Sequence, residues 1–112
     1  MKKHNVITIA LDDTWSVDLQ EAVEDFVHHR AETKYPLTIY AAKRFNRLIN
    51  KYRSWKYHDD DIVEAIDRSM RNNWRDVFLE PIPKDQHRER ILNANSKYWD
   101  LYTDEERNSL LQ

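Results

Sequence analysis

Glycine is absent from all 112 residues, and so is cysteine. Average chains carry about 7 % glycine, the residue that supplies positive φ in tight hairpins, Schellman caps and phosphate-cradling loops. Its absence argues against hairpin-rich and P-loop folds. Without cysteine there is no disulfide framework, no thiolate zinc site and no cysteine nucleophile, which suits a reducing compartment. Long apolar runs are missing too. The start, Met1-Lys2-Lys3-His4, leads only into the short run Val6 to Leu11, far from the roughly 20 residues that span a bilayer. The expectation is a protein that is neither exported nor membrane-spanning and resides in the cytoplasm.

What is present is bulky and charged. Apolar residues make up 40 % and charged residues 34 %, with four Trp, six Tyr and three Phe, and a net charge of -2. Large rings bury much area per residue, so one folded domain is expected at this length.

Val6-Ile7-Thr8-Ile9-Ala10-Leu11 reads as a short strand or extended arm ending at Asp12-Asp13, able to pack on helices or to pair with a copy of itself in a homodimer. From Val17 to about Ala31, Leu19, Val23, Phe26 and Val27 recur at helical spacing. Thr38 is the expected N-cap of a second helix, striped by Ala41, Phe45, Leu48, Ile49 and Tyr52 and running to about Arg53. Asp59-Asp60-Asp61 is expected to cap a third helix carrying Val63, Ile66, Met70 and Trp74. Pro81-Ile82-Pro83 stops regular structure, Gln86 to Tyr102 is a weaker helical pattern, and Thr103-Asp104-Glu105-Glu106 matches a capping box before a last helix from Glu105 to Leu111. The fold class is therefore mainly α: a compact single domain of four to five helices with an N-terminal strand or arm. It comprises a three-helix module over 15–78 and a helical extension over 84–112. Trp15 and Trp74 are expected in the core.

Charge is unevenly distributed. Lys34, Lys43, Arg44, Arg47, Lys51, Arg53 and Lys56 fall between positions 34 and 57, where there is no acid. Arg44, Arg47 and Lys51 stand at i, i+3 and i+7, clear of the apolar stripe, so their heads line one helix face. Trp55 and Tyr57 follow at once and offer rings for base stacking beside cations. Lys43, Arg44, Arg47, Lys51, Arg53, Trp55, Lys56 and Tyr57 are thus the candidate nucleic-acid-binding residues. The competing reading is internal balance, because seven acids lie between Asp12 and Glu32 and three more open the next helix.

His28-His29 and His58 beside the aspartates lack the spacing of a metal site. Serine-nucleophile motifs and a carboxylate pair in an apolar setting are also missing. Neither enzymatic activity nor a metal or other cofactor is expected.

The stretch from Trp15 to Phe78 resembles a helical module of phage and prophage replication proteins, of the replisome-organiser, replication-initiator and helicase-loader C-terminal type. The residues that carry the resemblance are Trp15 with Leu19, Phe26 with His29-Arg30, Lys34-Tyr35-Pro36-Leu37-Thr38, the run Ile62 to Trp74, and Val77-Phe78. Asn73 stands where that family commonly has glycine, and Asn is the usual substitute at a left-handed position. The loop before the third helix also lacks the family's glycine. A winged-helix DNA-binding domain has no counterpart in these residues, so sequence-specific origin recognition is not expected of them.

The resemblance implies a non-enzymatic phage or mobile-element protein, in the cytoplasm of the host cell. It would act as a replication accessory, contacting single-stranded DNA, the replicative helicase or its loader. The alternative is a small phage-encoded inhibitor that blocks a host or defence protein, such as a host replication factor or CRISPR effector. It would do so through an acidic surface of Asp12, Asp13, Glu21, Asp25, Asp59, Asp60 and Asp61.

Overall fold

A computed structural model describes residues 11–112 and shows, among them, five α-helices and no strand. They are α1 (Val17–Ala31), α2 (Ile39–Ser54), α3 (Asp59–Arg71), α4 (Lys84–Leu92) and α5 (Asp104–Leu111), with a single 3-10 turn at Trp99–Leu101 before α5. The expected strand or arm at 6–11 lies outside the described residues except for Leu11, which packs against the core.

Local chemistry sets the helix starts. Ser16 Oγ accepts the Leu19 N–H at 3.1 Å and Thr38 Oγ1 the Ala41 N–H at 3.1 Å, each satisfying one of the donors that a helix start leaves open. At α3 the cap is His58, not the aspartates: its Nδ1 accepts the Asp60 N–H, and Asp61 returns a bond to the His58 N–H. The three acids occupy the first turn instead, where the helix dipole favours them.

Two helices end in Schellman motifs despite the lack of glycine. At α2 the residue with positive φ is Lys56 (φ 74°), and Tyr57 N–H reaches Tyr52 C=O while Lys56 N–H reaches Arg53 C=O. At α3 it is Asn73 (φ 54°), with Trp74 N–H on Ser69 C=O and Asn73 N–H on Met70 C=O. Asn tolerates this conformation. Lys does so at a cost of about 1 kcal/mol, offset by its Nζ bonds to Leu101 C=O and Glu106, each 3.0 Å long. Lys56→Gly should therefore leave the protein about 1 kcal/mol more stable than Lys56→Ala, since both lose the tether and only alanine keeps the strain; paired urea titrations measure the difference.

α1, α2 and α3 run up, down and up. Trp15 Nε1 donates to Asn50 at 2.7 Å, Arg53 bonds both Thr14 and Asp59, and Ser16 N–H reaches Asp59, so the α1 and α3 starts meet the α2 end. Between them Trp15, Leu19, Val23, Phe26, Phe45, Ile49, Tyr52, Ile62, Ala65, Ile66 and Val77 form one buried core. The α1 stripe is as its periodicity predicts; on α2 Phe45, Ile49 and Tyr52 are buried as expected, but the alanine that turns inward is Ala42, not Ala41, and Leu48 is only half-buried at the margin. The buried stripe of α3 is Ile62, Ala65, Ile66 and Ser69, with Val63 and Met70 at its margin.

Two further expectations differ from the structure. Trp74 lies outside helix and core, 43 % exposed, because α3 ends at Arg71, three residues before the apolar pattern does, and Asn73 with its positive φ turns the chain away. The pattern from Gln86 to Tyr102 is not continuous either. Asn93 leaves α4 in an extended conformation and its Oδ1 accepts the Asn95 N–H, an Asx turn that outcompetes helix.

The segment after α3 descends along α2, with Tyr52 OH donating to Val77 C=O at 2.7 Å and Tyr57 OH to Glu80 C=O. α4 and α5 then dock at the lower end of the bundle, against residues 55–58. Ile91 and Tyr102 are buried there, while polar and ring contacts make the junction: Arg90 donates to Lys56 C=O and stacks over Tyr98 at 3.9 Å, and Lys97 pairs with Asp61 at 3.2 Å.

Candidate nucleic-acid interface

Helix α2 turns Ala42, Phe45, Ile49 and Tyr52 inward, and its period puts Lys43, Arg44, Arg47 and Lys51 on the outer side, all exposed. Among the described residues no carboxylate pairs with any of the four. Lys51 Nζ instead sits 5.1 Å from the Trp55 ring centre. Their heads form a row of positive charge open to solvent, which raises the local concentration of polyanions.

The other candidates at the lower end are tied into the fold. Arg53 Nε holds Asp59 at 2.8 Å, with Thr14 on its other nitrogens. Lys56 pairs with Glu106, whose carboxyl is held below its usual range by the Thr103 N–H and then by Lys56. The Tyr57 hydroxyl is spent on Glu80 C=O, and burial pushes its pKa up. Trp55 is half-buried and tilted against Tyr52 at 5.5 Å. The eight residues thus divide into a free cationic row and a group that also closes the bundle.

The acids divide similarly. Glu21, Asp25 and Asp60 meet in a shallow groove between α1 and α3, where the parallel packing adds Asp18, Glu64 and Asp67; Arg71 is the cation in that lining. Asp59 and Asp61 serve Arg53, Ser16 and Lys97. Asp12 caps its own turn, and bonds from the Thr14 hydroxyl and then the Thr14 N–H lower its carboxyl pKa, while Asp13 stands exposed beside it. Among the described residues, none of the acidic groups has the convergence of a metal site, and no helix is long and apolar enough to cross a membrane.

The sequence pattern did not reveal a second group, at the upper end of the bundle. Arg30, buried in the last turn of α1, donates Nε to Tyr35 C=O at 2.7 Å and a second nitrogen to Arg75 C=O. Burial, and then the neighbouring Arg75, lowers its pKa. This clamp explains the motif arginine of the Phe26-His29-Arg30 turn: it joins the α1–α2 link to the chain leaving α3.

A family model described as the YdaU C-terminal domain matches residues 14–101, from the turn before α1 through the 3-10 turn. No curated protein and no solved structure matches the chain.

Proposed function

The chain belongs to the YdaU C-terminal domain family, which is associated with prophages, and from that premise we propose that it is a non-enzymatic replication accessory that binds single-stranded DNA. Contact with the replicative helicase or its loader is part of the same proposal. The observation that carries it is the α2 row of Lys43, Arg44, Arg47 and Lys51, exposed and with no carboxylate partner among the described residues. Such a row holds phosphates by releasing their counterions and reads no sequence.

The test is anisotropy of a labelled oligo(dT) titrated at stepped salt. Changing Arg44, Arg47 and Lys51 together to Gln should weaken binding at least about tenfold and reduce the slope of log K against log salt by about 2. Circular dichroism should stay unchanged, because all three side chains are exposed. Equal binding by the variant would sink the proposal.

A second reading, an inhibitor of a basic host or defence protein, is favoured by the α1–α3 groove, where Glu21, Asp25 and Asp60 gather with three further acids. Complementary charge accelerates such an encounter and fixes its register. Neutralising those acids should then abolish capture of one host protein from nuclease-treated lysate, and leave oligo(dT) binding intact.

A further inference from the structure

Large rings stand exposed at the upper end of the bundle, on the side of the Arg30 clamp. Tyr35 is 49 % exposed, Trp74 43 % and Phe78 62 %. Trp74 and Phe78 meet edge to face, with centres 6.1 Å apart and planes at 69°. The Arg75 guanidinium lies 3.5 Å from the Tyr35 ring centre.

Tyr35, Trp74 and Arg75 are continuous with the α2 row, and Phe78 joins them through Trp74. His29, Lys34, Tyr35, Trp74 and Arg75 share one hollow; Arg44, Leu48, Arg75 and Asp76 share the next, with Arg30 and Arg75 common to both. We infer that the Tyr35, Trp74 and Phe78 rings, with Arg75 and Lys34, form the base-stacking half of a single-stranded nucleic-acid track whose phosphate-binding half is Arg44 and its neighbours on α2. The inference rests on the reading of that row as a phosphate-binding face.

Four features favour this occupant. Rings alternate with cations, the arrangement by which sequence-tolerant binders hold bases and phosphates together. Asp76 is the single acid lining the two hollows, and its Oδ1 already accepts the Val77 N–H. Arg30 fixes both main chains from beneath, through Tyr35 C=O and Arg75 C=O, so the stack is formed before a ligand arrives and less ordering is lost on binding. His29 Nε2, shielded from solvent in the same hollow, has no hydrogen-bond partner among the described residues. Trp55 offers less free ring face, since it is only half-exposed, whereas Tyr35, Trp74 and Phe78 rank among the exposed large apolar residues.

The experiment compares the full chain with Trp74→Ala, Trp74→Phe and Phe78→Ala in oligo(dT) anisotropy at several salt concentrations, beside the α2 triple variant. Stacking carries no counterion release. Trp74→Ala should therefore weaken binding about fivefold or more with the salt slope unchanged, and Trp74→Phe should keep most of the affinity. Thermal unfolding checks that each variant folds, and Phe78→Ala decides the matter should Trp74→Ala fail to do so. Wild-type affinity in Trp74→Ala and Phe78→Ala, with binding lost only in the α2 triple, overturns this inference and leaves the α2 reading standing. No binding of oligo(dT) by the wild-type chain overturns both.

Discussion

Arg30→Met should cost about 2–4 kcal/mol of folding stability, read as a lower urea midpoint by circular dichroism. Two carbonyls depend on the guanidinium, those of Tyr35 and Arg75. Hydrogen bonds from a charged donor are worth about 1.5–3 kcal/mol each, and carbonyls left without a partner add a desolvation penalty. Methionine recovers part of this by filling the volume with apolar atoms. Arg30→Lys should fare little better, because one ammonium cannot reproduce a planar fork that reaches two carbonyls at once. A loss below about 1 kcal/mol in both variants would mean that the clamp is dispensable.

Phe26→Ala should be more damaging still, at about 3–5 kcal/mol. Phe26 is fully buried and stacks on Phe45 with centres 4.7 Å apart and planes 17° from parallel, so its removal opens a cavity between α1 and α2 that neighbours fill only in part. Whole domains are stable by only about 5–15 kcal/mol, and this one substitution takes a large share. Phe26→Leu keeps most of the volume and should cost markedly less. Urea titration of the pair separates cavity from chemistry: equal losses would show that ring stacking, not volume, is what the site requires.

Legibility followed the range of the interaction. Thr38 and the Thr103–Glu106 box cap through residues three positions away, so sequence placed those starts. The stripes of α1 and α2 were legible for the same reason. His58 was overlooked because imidazole is an unusual cap, and the end of α3 because the apolar pattern ran on to Trp74 while Asn73 took positive φ. Asn73, the stand-in for glycine at a left-handed position, does take positive φ, whereas nothing in the sequence marks Lys56 for the same conformation. Partners distant in the chain were invisible. Lys56 meets Glu106 across fifty positions, Arg53 meets Thr14, and the acidic groove acquires Asp18, Glu64 and Asp67 only once α1 and α3 lie parallel. The rings at Tyr35 and Trp74 are brought together by Arg30, a role that no spacing reveals.

The way α4 and α5 are attached gives the molecule two tiers of cooperativity. The three-helix bundle is closed by a dozen buried side chains, whereas the C-terminal segment buries only Ile91 and Tyr102 and is joined to residues 56–61 largely by polar and ring contacts, among them Lys56 to Leu101 and Glu106, Arg90 to Lys56 C=O, and Lys97 and Tyr98 to Asp61. Segments with little buried apolar area open at a fraction of the global free energy. The terminal pair should therefore open as a separate foldon, more often than the bundle unfolds, and native-state hydrogen exchange would then show its amides, with those of the Trp55–Tyr57 loop beneath it, exchanging ahead of the bundle.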